Sequence, residues 1–177
     1  MQEIVTNRLI LKPLSQEHCT EQYVSWCNDP EVYLYLETCG GYTLELLCAY
    51  IQSVIDKQTL MWAIHIKETG MHIGNIKIDP IDTIKGSGEY GIMMGERTQW
   101  GKGYAKEASE AVIDYCFNDG PRLQKITLGV LGNNNRAVDL YYRMGFELED
   151  LLKNHKVKNG ISLDVLRMAM FNGNVSK

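Results

Sequence analysis

From Leu44 onward, apolar residues recur at helical spacing. Leu44, Leu47, Cys48, Ile51, Val54 and Ile55 form one stripe, with Thr43 placed to cap the helix start. Alternating and β-branched runs predict strands elsewhere. Residues 8–11 read as an opening strand, and Pro13 and Ser15 then break it and cap a helix to about Trp26. A short helix follows Asn28-Asp29-Pro30. Strands at 61–67 and 72–78 are joined by a hairpin turn at Glu68-Thr69-Gly70, and a further strand at 89–94 follows Lys85-Gly86-Ser87-Gly88. A glycine-rich turn then opens a helix from about Gly103 to Asn118, with Ala105, Ala108, Val112 and Cys116 on one face. A strand at 125–131, a helix at about 135–144, and strands at 146–152 and 162–170 separated by Lys158-Asn159-Gly160 complete the chain. The element order is β-α-α-β-β-β-α-β-α-β-β, with no repeat, linker or low-complexity block, so one domain over residues 1–177 is expected.

Composition narrows the function more by exclusion than by assertion. A net charge of −4 with eighteen scattered Lys and Arg offers no stripe for a polyanion, so no nucleic-acid partner is expected. The start lacks a basic and then apolar leader, and no apolar run approaches a membrane span, so a cytoplasmic chain without membrane attachment is expected. The five cysteines, Cys19, Cys27, Cys39, Cys48 and Cys116, are odd in number and lack CxxC spacing; neither a disulfide framework nor a metal site is expected.

Two segments carry candidate chemistry. Trp100-Gly101-Lys102-Gly103-Tyr104-Ala105 lies between a strand and a helix. The first amides of a helix lack intrahelical partners and face its positive dipole end, so a turn of small residues there can cradle a pyrophosphate, and Lys102 could add a point charge. Alone, the segment reads equally as a turn whose glycines serve only geometry. The second segment is N-x-x-A-x-x-x-Y-x-x-x-G-F, with Asn134, Ala137 and Tyr141 on one helix face, Asn134 or Asn135 at its N-cap, and Gly145 at its end before Phe146.

Together these segments resemble the GNAT superfamily of N-acetyltransferases, and within it the branch of ribosomal-protein N-terminal acetyltransferases and amino-sugar-nucleotide acetyltransferases. The likeness also runs through Thr6 to Lys12, Trp26 to Val32 and Ile73-Gly74-Asn75-Ile76. It implies an α/β (α+β) fold: one domain with a central, mixed, mostly antiparallel sheet of about seven strands flanked by helices. The co-substrate implied is acetyl-CoA, with no metal. Its phosphates would be held at Trp100, Gly101, Lys102, Gly103, Tyr104 and Ala105, its pantetheine arm beside Ile92, Met93 and Met94, and further contacts made by Asn134, Ala137 and Tyr141. Trp100 stands where the family pattern Q/R-x-x-G-x-G/A has Gln or Arg, which removes a polar side chain but no backbone donor.

By the same resemblance Tyr141 would protonate the departing thiolate and Glu89 would accept the amine proton, directly or through water. The alternative readings are an amphipathic core tyrosine and a solvated strand-end charge. Asp164 and His155 are further candidates without a motif of their own. The acceptor implied is a small amine, with an amino-sugar nucleotide favoured by Trp26 to Leu36 and the last third of the chain. A protein N-terminus is the alternative acceptor, and a non-catalytic acyl-CoA-binding module the alternative from another class. A homodimer is compatible with each.

Overall fold

A computed structural model describes residues 1–36, 40–158 and 160–173. Its strands order β1-β2-β3-β4-β5-β6-β8-β7 in an eight-stranded mixed sheet, one more strand than expected. The strands are β1 Ile4–Val5, β2 Leu9–Pro13, β3 Leu60–Ile66, β4 His72–Asp82, β5 Ser87–Met94, β6 Lys125–Leu131, β7 Glu147–Lys158 and β8 Ile161–Phe171. The additional strand, β1, has two residues and no alternation to read. The helices are α1 Glu21–Asn28, α2 Pro30–Tyr33, α3 Leu44–Asp56, α4 Tyr104–Asp114 and α5 Asn135–Met144. The chain forms two compact units: Met1–Pro80 with Gly91–Val112, and Ile81–Tyr90 with Ile113–Lys177.

In the first unit β1, β2, β3 and β4 pair antiparallel, and Leu9, Leu11, Trp62, Ile64, Ile73 and Ile76 are buried. The three helices α1, α2 and α3 pack their apolar faces into one core through Tyr23, Trp26, Val32, Leu47, Ile51 and Val54. Of the stripe that predicted α3, Leu47, Ile51 and Val54 are buried and Cys48 half-buried, while Leu44 and Ile55 at its two ends are exposed; Thr43 Oγ1 caps the helix by accepting from Leu46 N at 3.2 Å. The helix expected from Ser15 to Trp26 is broken. Ser15 caps only a 3-10 turn at Gln16–His18, and a fresh helix starts at Glu21 with Thr20 accepting from Tyr23 N. Two caps within six residues explain the interruption, because each diverts the backbone from a continuing ladder.

Cys19 and Cys48 form a disulfide between the segment before α1 and helix α3, which corrects the expectation of free thiols. Cys27 and Cys116 are free and buried, and Cys39 lies outside the described residues. The pairing joins residues 29 apart, a proximity that spacing along the chain does not announce.

In the second unit β5 and β6 run parallel from Ser87↔Lys125 to Glu89↔Thr127, while β6, β8 and β7 pair antiparallel. After α4 the chain continues through a π-helical turn at Tyr115–Asp119, where one longer helix was expected. Helix α5 is bounded as the sequence predicts: Asn134 Oδ1 accepts from Ala137 N at 3.3 Å, and Gly145 ends it at φ 96°. The hairpin turn expected at Lys158-Asn159-Gly160 includes Asn159, which is outside the described residues.

Candidate active site

The first group of candidate residues lies in the first unit, at the start of α4. Gly101 and Gly103 have φ of 77° and 82°, so both need the left-handed region that glycine enters without strain. Space is open around an added Cβ at Gly101, whereas one at Gly103 would come 3.4 Å from Arg8 Nη2. Gly101, Lys102 and Gly103 are exposed, Tyr104 and Ala105 half-buried. Glu107 N already bonds to Gly103 O at 3.2 Å, leaving the earlier amides of α4 at the helix mouth by the geometry of any helix start. What this turn offers an anion is therefore backbone donors. Lys102 Nζ is 2.8 Å from Gln99 Oε1.

Arg8 clamps this turn, a role not read from the sequence. Its Nη1 donates to Lys102 O at 2.9 Å, its Nε to Glu107 Oε2 at 2.7 Å, and its guanidinium lies 4.6 Å above the Tyr104 ring. Thr6 Oγ1 donates to Glu107 Oε1 at 2.6 Å. Partial burial works against the charge on Glu107, but the Thr6 and Arg8 hydrogen bonds outweigh it and hold the carboxyl below its usual range. Arg8 and Glu107 are 99 residues apart, so no local pattern links them.

Ile92, Met93 and Met94 end β5, each half-buried. Trp100 explains its own departure from the family pattern: its indole Nε1 donates to Met94 O at 2.8 Å, and its ring packs against the core of the first unit. A Gln or Arg there could form the hydrogen bond but would supply less apolar surface.

The second group lies in the second unit. Tyr141, on α5, is 8% exposed, with the rings of Tyr90 and Phe146 each 5.7 Å away. Burial pushes its phenol up to about 12, and a hydrogen bond with Tyr90 opposes this in part. The neighbouring Tyr142 is 48% exposed, as the helical rotation requires. Asn134 caps α5, and Ala137, whose amide it accepts from, is half-buried.

Glu89, on β5, meets Arg167 of β8 in a bidentate pair, with Nη1–Oε1 and Nη2–Oε2 both 2.6 Å, and Thr127 Oγ1 donates to Oε2 at 2.8 Å. The pairing holds Arg167 above its usual range. Both oxygens of Glu89 are thus engaged by a planar guanidinium. Asp164 Oδ1 accepts from Asn154 N at 2.8 Å and fixes an irregularity in β7. His155 lies on β7, exposed. Among the described residues no group of three or more His, Cys, Asp or Glu is arranged to hold a metal ion, and no helix is long and apolar enough to cross a membrane.

Known proteins complete the picture. The model of the acetyltransferase (GNAT) domain matches residues 8–147. The chain is 29% identical over 174 residues to the uncharacterized N-acetyltransferase p20 of Bacillus licheniformis, covering 96% of each. It is 36% identical over 96 residues to spermidine N(1)-acetyltransferase of Vibrio cholerae, 54% of each chain. The crystal structure of spermidine N-acetyltransferase from Vibrio cholerae in complex with CoA and spermine superposes with a TM-score of 0.86 at 25% identity, over 94% of this chain and 97% of that one. Two of these three are spermidine acetyltransferases, and they do not show the ribosomal-protein and amino-sugar-nucleotide branch to which the motifs alone pointed. With a family model spanning most of its length and named N-acetyltransferases among its relatives, the chain belongs to the GNAT acetyltransferase family and is an N-acetyltransferase.

Proposed function

We propose that this chain transfers an acetyl group from acetyl-CoA to a primary amine of a small polyamine such as spermidine. The observation that carries the acceptor is the likeness, over nearly the full length of both chains, to a spermidine acetyltransferase whose structure holds CoA and spermine. An acidic chain of net charge −4 also suits a polycationic acceptor better than an anionic sugar nucleotide.

In this reading bound acetyl-CoA supplies an activated thioester. The amides from Gly101 to Ala105 bind its diphosphate, with Lys102 adding charge, and Arg8 holds the turn in shape. Main-chain groups of Ile92 and Met93 align the pantetheine arm, while Met94 O is shared with Trp100. Asn134 and Ala137 present the start of α5, and Tyr141 donates its proton to the leaving sulfur. With Arg167 and Thr127 held on the Glu89 carboxylate, water accepts the amine proton in this reading and Glu89 orders the β5, β6 and β8 strands.

The test is release of free CoA thiol across a panel of amines. Turnover of spermidine, with none of an amino-sugar nucleotide or a ribosomal-protein N-terminal peptide, is the result expected. Turnover confined to either of the others would overturn the polyamine reading. No turnover, with acetyl-CoA still bound, would favour a non-catalytic acyl-CoA module.

A further inference from the structure

Tyr90 follows Glu89 in β5, and successive side chains of a strand point to opposite faces of the sheet. Glu89 meets Arg167 and Thr127 on one face. Tyr90 is 5% exposed on the other, against helix α5.

The Tyr90 ring meets two others. That of Tyr141 stands edge-on to it, with 5.7 Å between centroids and 83° between planes, and that of Phe146 lies 6.2 Å away. Tyr141 and Phe146 are themselves 5.7 Å apart, so three rings of the second unit close on one another. Such packing fixes where the Tyr141 ring sits but leaves its hydroxyl to rotate. Of these two neighbours only Tyr90 carries a hydroxyl, and the side chains of Tyr90 and Tyr141 are hydrogen-bonded to each other.

A buried phenol that gives up its proton needs a group that stabilises the charge left behind. Around Tyr141 the setting is apolar and burial disfavours the phenolate. A neighbouring hydroxyl that donates to the phenolic oxygen as its proton leaves answers that need without adding a charge to the core.

We propose that Tyr90 is a positioning residue for Tyr141: its hydroxyl orients the Tyr141 hydroxyl and donates to the Tyr141 oxygen as the phenolic proton passes to sulfur. In that step the bond from the acetyl carbon to sulfur breaks, its electron pair stays with sulfur, and the Tyr141 proton follows. Water, which has taken the amine proton, returns one to Tyr141, and Tyr90 keeps its own throughout. The proposal rests on the reading of Tyr141 as the acid.

Steady-state kinetics at saturating acetyl-CoA test it in wild type, Tyr90→Phe, Tyr141→Phe and the double variant. Spermidine is the acceptor, replaced by the fastest amine of the panel if spermidine is left unmodified. Tyr90→Phe keeps the ring and is expected to lower kcat about tenfold, with KM for acetyl-CoA unchanged. In the Tyr141→Phe background the same change is expected to cost nothing more, because the hydroxyl that Tyr90 serves is gone. A role in packing alone predicts a silent Tyr90→Phe and a damaging Tyr90→Leu. Destabilisation by Tyr90→Phe would lower the rate in both backgrounds alike, which separates it from positioning. Full kcat in Tyr90→Phe beside a crippled Tyr141→Phe would overturn this proposal and leave the acid reading standing. So would equal losses in both backgrounds. An undiminished Tyr141→Phe, or no turnover of any amine, would overturn the acid reading and this proposal with it.

Discussion

Tyr141 combines a phenol at the face of α5 with an apolar ring environment, and the two bear on different measurements. Burial disfavours the phenolate, so the phenol pushed up to about 12 stays protonated throughout the working range of the enzyme. Its folded-state value lies above the unfolded one, near 10, so its contribution to stability is complete below about pH 10 and is lost as pH rises toward 12. The rate profile should accordingly show no fall from loss of this proton between about pH 7 and about pH 10. For Glu89, clamped by Arg167, Glu89→Gln should lower the unfolding midpoint in urea while leaving the shape of the pH–rate profile as it was. A profile that loses its acidic limb in that variant would return the role of base to Glu89.

At the scale of elements, the turn before α4 depends on a strand far away in sequence. Arg8 follows β1 and ties the Lys102 carbonyl to Glu107. Arg8→Ala should raise the dissociation constant for acetyl-CoA several-fold in calorimetry, with kcat at saturating co-substrate nearly unchanged. An equal loss in both quantities would count against a positioning role. Thr43→Ala should cost about 1 kcal/mol in urea unfolding through loss of the α3 cap, with kinetics untouched.

What could be read from the sequence divides along the same line. Thr43, Asn134 and Gly145 are caps whose partners lie within a few residues, and the α3 stripe repeats over one helix, so both were legible. The Cys19–Cys48 pair, the Arg8–Glu107 clamp and the Glu89–Arg167 pair join residues 29, 99 and 78 apart. Their proximity is a product of the topology: residue type alone read Cys19, Cys48 and Glu89 without their partners and gave Glu107 and Arg167 no role. The positions of the glycine turn and of Tyr141 were legible as a joint pattern, whereas Trp100 was legible only as a departure. Its bond to Met94 O gives that departure a physical use.

For the molecule as a whole, the histidines set an acid limit. His18, His65 and His72 lie in the first unit with ring centroids 5.0 to 5.3 Å apart, and Trp26 is 4.9 Å from His72. Burial lowers all three, and His65 and His18 lower His72 further, bringing it to about 4. His72 Nε2 lies 3.0 Å from Gly74 O and 3.2 Å from Asn75 Oδ1, two acceptors that place a proton on that nitrogen. The folded-state values lie below the unfolded one, so stability is complete above about pH 6.5 and is lost as pH falls toward 4. The thermal midpoint should drop between about pH 7 and about pH 5, and His72→Gln should flatten that dependence. An equally steep fall in the variant would assign the acid limit to other groups.

The central claim is acetyl transfer to a small polyamine with Tyr141 as the acid, and steady-state kinetics of wild type and Tyr141→Phe with spermidine address it most directly. Read beside acetyl-CoA calorimetry, the account predicts acetylspermidine from the wild type, a loss of about a hundredfold in kcat for Tyr141→Phe, and equal co-substrate affinity in both. Undiminished turnover by Tyr141→Phe, or a wild type that binds acetyl-CoA and leaves spermidine unmodified, would contradict it.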